Sequence, residues 1–390
     1  MRIENLKNCT GCNSCFSVCP KSAIVMSENN EGFLYPQIDS VKCIKCGLCE
    51  KVCPTINPIK NENEDTKVYA AINKNEAIRL DSSSGGIFTA VAERIIEENG
   101  VVFGAKFTSD FSVVHGWTDT INGLSDFRGS KYLQSIIGDC YKDCKVFLEN
   151  GRKVLFSGTP CQVQGLKKYL GKEYGNLLTV DFICHGVPSP LLWQKYVDYR
   201  AEKNGAARQK IVKTAFRRKN AGWKQYSLSF TFANNSEYCQ PLTKDPYMQI
   251  FLKDIALRKS CYECPCRGIA RLSDITLADF WGVQNELPEM DDDKGTSLVL
   301  IHSLVGKKTF VELENCEIRE IPLEIVTRLN KSVEKSSSMP KTRSSFYTNL
   351  TELPFERLIK KYTVMPLYKR PFMFARRCAG RIVRRIIKKK

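Results

Sequence analysis

Cys9-x-x-Cys12-x-x-Cys15-x-x-x-Cys19-Pro20 recurs as Cys43-x-x-Cys46-x-x-Cys49-x-x-x-Cys53-Pro54. Thiolates at this spacing suit four-iron cubanes. Three close cysteines wrap one corner, and the fourth, before proline, crosses over to the other cluster. The pattern therefore predicts one 4Fe–4S cluster on Cys9, Cys12, Cys15 and Cys53, and a second on Cys43, Cys46, Cys49 and Cys19. Proline turns the chain away from the fourth ligand, and Gly11 and Gly47 let backbone N–H groups approach the sulfurs. A structural zinc module normally takes four cysteines per ion and does not call for two identical runs with Cys-Pro endings. Residues 1–60 thus read as a two-cluster bacterial ferredoxin module. Such a module moves single electrons and transforms no substrate, so it implies a partner centre in the remaining chain.

Further cysteines sit in phrases that look built around them. GTPCQVQGLK puts Cys161 at a strand-to-helix turn, and DFICHGVPSP puts Cys184 at the end of the next strand. Open α/β sheets place ligands at such strand ends. SCYECPCRG adds Cys261, Cys264 and Cys266. Alone, Cys161 and Cys184 read equally well as buried free thiols. With Cys261 and Cys264 the set makes four thiolates, enough for a third cluster.

The elements that must position these residues follow from hydrophobic periodicity. VYAAIN (68–73), VVFGAKF (101–107), KVLFSG (153–158), LLTVDFI (177–183), SLSFTF (227–232) and SLVLIHS (297–303) read as strands. GGIFTAVAERIIEENG (85–100), CQVQGLKKYL (161–170) and LLWQKYVDYRAEK (191–203) read as helices, the first closing on Gly100. Ile56 to Thr66 reads as a linker. The alternation predicts a mixed α/β or α+β domain over 66–332, larger than the ferredoxin domain before it. A polar stretch, Val333 to Ser345, then leads to a basic amphipathic segment at 346–390.

Composition narrows the class. The chain has 390 residues, 43% apolar and 26% charged, so wholesale disorder is excluded. Eighteen cysteines are too many for a cytosolic chain unless most bind something. No apolar run is long enough to span a bilayer, and the polar N-terminus lacks a signal-peptide core. The sequence therefore predicts a cytoplasmic protein. The formal charge of +17 is local: Arg357 to Lys390 holds 13 Lys and Arg and no acid.

SSSGGIFTA (82–90), RGSKYLQS (128–135), FSGTPCQVQGLK (156–167), DFICHGVPSP (181–190), KSCYEC (259–264) and SDITLADFWG (273–282) resemble the coenzyme F420 hydrogenase/dehydrogenase beta subunit family. Its members include ferredoxin-linked chlorophyll-pathway reductases, and relatives fused to a ferredoxin module occur in bacterial cell-surface polysaccharide gene clusters. The resemblance runs from about residue 66 to 330. It implies FAD and a 4Fe–4S cluster in this domain, with FAD near Ser83, Ser84, Gly85 and Gly86 and near Lys131, Tyr132, Gln134 and Ser135. Two departures stand out. Cys266 occupies a position more often aromatic, which leaves open which cysteines of 261–266 are ligands, and Ala278 replaces a glycine. On residues alone, Ser-Gly-Gly opening a helix is a phosphate cradle or an ordinary cap. A flavin would take a hydride and release single electrons to clusters.

The leading function is an iron–sulfur flavoprotein oxidoreductase. Its partners would be a ferredoxin, a deazaflavin or another redox carrier, and a small-molecule or sugar-linked substrate, with polysaccharide biosynthesis as the setting. The alternative is a non-catalytic subunit wiring a partner enzyme to a soluble donor. Past Pro371 the tail alternates apolar and basic residues at helical spacing, as a helix lying on an anionic membrane at the inner face would, or equally a partner-docking helix or a solvated tail. Nucleic-acid binding is disfavoured, because the tail has no aromatic platform or recognised motif. His185 reads as a partner of a cluster sulfur, of the flavin, or as structural. His115, His302, Cys140, Cys144, Cys239, Cys316 and Cys378 read as structural. Asp291 to Asp293 read as a solvated loop, and Asp279 as structural or, less readily, as a residue that orients a cofactor.

Overall fold

The computed structural model describes residues 2–59 and 65–364. The N-terminal module is a hairpin of β1 (Ile24–Glu28) and β2 (Leu34–Ile38), paired antiparallel, flanked by short helices at Ser14–Val18 and Leu48–Lys51. Its own core is small: Ile3, Ile24 and Cys49, with Phe16, Ile38 and Ile56 against them. So little apolar burial leaves the clusters and the neighbouring domain to hold the module together.

The main domain is built on an eight-stranded mixed sheet. Its strands are β3 (Lys67–Asn73), β4 (Val101–Phe107), β5 (Val113–Thr118), β6 (Val154–Ser157) and β7 (Leu177–Phe182). After an intervening three-stranded antiparallel sheet of β8 (Ile211–Arg218), β9 (Ser227–Phe232) and β10 (Glu237–Pro241), it is completed by β11 (Ile275–Asp279), β12 (Ser297–Ile301) and β13 (Cys316–Ile321). The order is β13-β3-β12-β11-β7-β6-β4-β5. The central pairs β11–β7, β7–β6 and β6–β4 are parallel, and the outer pairs are antiparallel.

Parallel strands covered on both faces read as continuous apolar runs. Val101, Phe103, Val154 and Phe156 face the helices Cys140–Glu149 and Pro160–Leu170, while Val102 and Leu155 face Ile87–Glu97. Every strand and helix expected from periodicity is present, within a few residues at each end. The mixed α/β class is observed.

The segment expected to form a separate basic tail from 346 divides in two. Helices Arg343–Glu352 and Phe355–Thr363 bury Phe346, Tyr347, Leu350, Leu358, Ile359 and Tyr362 in the same core as Trp193 and Phe230. Residues from 365, including the predicted amphipathic stretch and Cys378, lie outside the described residues.

Candidate metal centres

Both N-terminal cysteine runs adopt one backbone shape. Gly11 and Asn13 have φ of 71° and 66°, and their counterparts Lys45 and Gly47 have 56° and 76°. The left-handed residues curl each loop around a centre. One cavity is lined by Cys9, Cys12, Cys15 and Cys53. A second is lined by Cys43, Cys46, Cys49 and Cys19. The crossover expected from the Cys-Pro endings is thus the arrangement the fold produces. Gly11 N–H donates to the Cys9 sulfur at 3.4 Å, and Ala23 N–H to Cys19 at 3.3 Å. Among the described residues no three His, Cys, Asp or Glu side chains converge on a point fit for one metal ion. These cysteines instead surround open volumes, which suits a cubane.

A third cavity lies in the main domain. Because β6 and β7 are parallel, the loops after them leave the sheet at the same end. Cys161 enters the first turn of helix Pro160–Leu170, behind a capping box of Thr159 and Gln162. Cys184 follows β7. Together with Cys261, Cys264 and Cys266 they line one cavity. Val187 N–H donates to the Cys261 sulfur at 3.5 Å, and Arg267 holds the Cys184 carbonyl at 2.6 Å. Burial pushes the thiols of Cys184 and Cys261 up to about 12. Thiolates gathered in such a site need a cationic centre to balance them, which iron supplies. Cys264 is held down at about 6, chiefly by its hydrogen bond with Cys266, whose own thiol is driven up. Thr10 lines both this cavity and the first N-terminal one. Its buried hydroxyl has no described partner, a donor placed to meet a cluster sulfur.

Of the residues expected around FAD, Ser83 lies against the 128–132 segment, while Gln134 and Ser135 are engaged elsewhere. Ser83 and Ser84 are half-buried: the Ser83 hydroxyl bonds Ser130 at 2.7 Å, and Ser84 donates to the Thr296 carbonyl at 2.8 Å. Gly85 is packed too closely on β3 and β12 to receive a ligand. A Cβ there would lie 2.4 Å from the Ala71 oxygen, and its N–H already donates to Ser297. Gly86 is buried at the helix cap, with φ of 82°. Lys131 donates to the carbonyls of Asp126, Arg128 and Gly129, and burial lowers its ammonium to about 7. Tyr132 stacks on Phe251 with ring centres 4.9 Å apart. Gln134 bridges the Thr10 carbonyl and Arg258, and Ser135 bonds His115 and Gln162.

What lies beside Ser83 and Ser84 was not visible in sequence. Lys219 reaches the Ser84 carbonyl at 2.9 Å, and Trp223 donates to the Ser83 carbonyl at 3.2 Å. Trp223 stacks on Trp281, with ring centres 4.6 Å apart and planes within 7°. Arg217, buried, pairs with Asp279 at 2.5 Å and lies over Tyr226 and Trp281. Two of its nitrogens, Nε and Nη2, have no described partner. A cation with orphaned donors among aromatic faces fits a planar, anionic ligand.

The discounted residues are structural. His115 and His302 are buried and hydrogen-bonded to hydroxyls and a carbonyl. Cys140, Cys144 and Cys316 lie in apolar cores. Asp291 pairs with Lys224, and Asp292 with Arg79. His185 bonds Asp254 at 2.5 Å.

Paired cubane loops joined to a cysteine-lined sheet end define an iron–sulfur redox protein. Residues 8–57 match the model of the 4Fe–4S dicluster domain, and residues 151–323 match the C-terminal domain of the coenzyme F420 hydrogenase/dehydrogenase beta subunit. The two matches lie in series, a dicluster region followed by a region similar to the C-terminal domain of F420 hydrogenase/dehydrogenase beta subunits. Among solved structures, a chain of the F420-reducing [NiFe] hydrogenase complex from Methanosarcina barkeri is 17% identical, with a TM-score of 0.49 over 75% of this chain and 96% of that one. No curated protein matches. No helix among the described residues is long and apolar enough to cross a membrane.

Proposed function

We propose that the chain is an iron–sulfur flavoprotein oxidoreductase that passes single electrons between its N-terminal clusters, an inner cluster and FAD. The observation that carries this reading is the convergence of Cys161, Cys184, Cys261 and Cys264, from three separate loops, on one cavity that shares Thr10 with the ferredoxin module. In this reading those four cysteines hold the inner cluster, and the eight N-terminal cysteines hold the other two. Cys266 donates to Cys264 and stays outside the ligand set.

FAD is proposed beside Ser83 and Ser84, where the unpartnered Arg217 nitrogens would meet its phosphates and the Trp223–Trp281 pair its ring system. When bound, a flavin exchanges hydride with a two-electron partner and single electrons with clusters. Ser83 and Ser84 pin the loop at the helix start to Ser130 and Thr296, and Asp279 keeps Arg217 oriented. The closed packing of Trp223 on Trp281 excludes water from that side. The substrate is proposed to be a small or sugar-linked molecule, as in the polysaccharide-cluster relatives. The residues from Arg370, outside the described part, are proposed to rest on an anionic membrane surface, each Lys or Arg adding about 1 kcal/mol.

Anaerobic purification followed by iron, sulfide and flavin analysis tests the reading. Three clusters give about twelve iron atoms per chain, and the module alone gives about eight. Arg217→Gln should lower flavin content and leave iron unchanged. A preparation with full iron and no flavin would remove FAD from the proposal and leave an electron-transfer subunit.

A further inference from the structure

The two N-terminal loops share a shape but not surroundings. A Cβ at Gly11 would lie 2.6 Å from Gln134 Nε2 and 2.9 Å from Arg258 Nη1, so only glycine fits there. At Lys45, the matching position of the second loop, a long side chain is accommodated, and Cys46 is exposed whereas its counterpart Cys12 is buried. The first loop therefore faces the main domain, and the second faces solvent.

Against the first loop, and three residues before Cys261 in sequence, stands Arg258, with no exposed surface. Its Nε donates to the Cys9 carbonyl at 2.7 Å, Nη1 to Gln134 Oε1 at 2.9 Å and Nη2 to the Leu34 carbonyl at 2.9 Å. Its guanidinium lies 4.2 Å from the centre of the Tyr35 ring. These acceptors are all neutral. A buried cation held only by neutral groups carries a large desolvation cost unless negative charge lies near. The backbone supplies the link to the second centre, since Cys261 N–H donates to the Arg258 carbonyl at 2.9 Å. The guanidinium sits against the 9–11 loop, whose Thr10 lines both cavities.

We infer that Arg258 is a shared counter-charge for the cluster on Cys9, Cys12, Cys15 and Cys53 and for the inner cluster, holding both at raised potential and making the first cluster the inner cluster's exchange partner. This rests on the proposed reading that an inner cluster exists. An electron passing between the two oxidises one by a single unit and reduces the other by a single unit, with no bond changed and no proton moved. A nearby cation favours the reduced, more negative cluster. Removing it should lower two potentials out of three.

The test is a potentiometric titration of the full chain followed by EPR, for wild type, Arg258→Met, Arg258→Gln and Arg258→Lys. Both neutral variants should shift the first and inner clusters down by about tenfold in reduction equilibrium, about 59 mV for one electron. The second N-terminal cluster should not move, and Lys, which keeps the charge, should restore most of the shift. Should the neutral variants lose iron instead, loss confined to the first and inner clusters supports the same assignment. An equal shift or loss at all three, or a shift of the first cluster alone with twelve iron atoms present, overturns it. Eight iron atoms in the wild type would instead show that the inner cluster is absent, a failure of the underlying reading that the titration separates from failure of the inference.

Discussion

The hydroxyl of Ser14, two residues beyond Cys12, donates to the carbonyl of Gly165, four residues beyond Cys161, at 2.7 Å. The two cysteine loops, 149 positions apart in sequence numbering between their cysteines, are thereby fixed side by side. Gly165 permits this approach because a Cβ there would lie 2.9 Å from Cys12 Cβ and 2.8 Å from the Tyr141 hydroxyl. Gly165→Ala should therefore destabilise the chain by about 1–3 kcal/mol through overpacking and loosen the first cluster. Thermal unfolding with iron analysis checks this. An unchanged melting temperature and iron content would mean that the contact has slack.

The inner cavity gives a second prediction. Cys161→Ser or Cys184→Ser should each remove roughly four iron atoms and leave the N-terminal eight. Cys266→Ser should keep all of them, since Cys266 is assigned no iron. Iron counts and EPR of the three variants decide it. Full iron in both Cys161 and Cys184 variants would rule out an inner cluster on these residues.

Much of this was legible in sequence, for physical reasons. Metal ligands must repeat at fixed spacing, so Cys9 to Cys53 announced their pairing. Doubly covered strands must be apolar throughout, so VVFGAKF and LLTVDFI were plain. β8, with Lys213, Arg217 and Arg218 along it, offered no such run, and its buried Arg217 is explained only by Asp279, 62 residues away. Arg258 was equally silent, because its partners Cys9 and Leu34 are more than 220 positions distant. Helix Arg343–Glu352 looked like a polar lead into a basic tail. Its apolar residues Phe346, Tyr347 and Leu350 are few, and only the fold shows that Arg343 anchors it to the N-terminal module.

That anchor yields a third prediction. Arg343, 2% exposed, meets Glu31 through two hydrogen bonds of 2.7 and 2.6 Å, and also donates to the Leu257 carbonyl. Removing one partner of a buried pair strands the other's charge, at a cost of about 3–5 kcal/mol. Glu31→Gln should thus destabilise strongly, while Glu31→Gln combined with Arg343→Met should recover part of the loss. Denaturant unfolding of the cluster-loaded chain measures both. A single variant as stable as wild type would show that the pair is dispensable for docking the module.

The last prediction concerns acid. His115 is buried, stacked on Phe156 with ring centres 5.5 Å apart, and bonded to the Ser157 carbonyl and Ser135 hydroxyl. Burial holds it at about 4, below its ordinary 6.5, and the nearby Lys131 charge pushes the same way. The unfolded chain thus binds a proton that the folded chain refuses. Stability from this group is fully present above pH 6.5 and drains away as pH falls towards 4, by about 3 kcal/mol. His302, lowered to about 3 mainly by burial, adds in the same direction. Asp181, raised to about 6 by burial, opposes them, since its contribution is lost as pH rises through 6. The clean comparison is therefore His115→Gln against wild type, which leaves the other two groups in place. The difference in unfolding free energy between the two proteins should change by about 3 kcal/mol between pH 7 and pH 4. A difference that stays constant over that range would mean that His115 is protonated as readily in the folded chain as in the unfolded one.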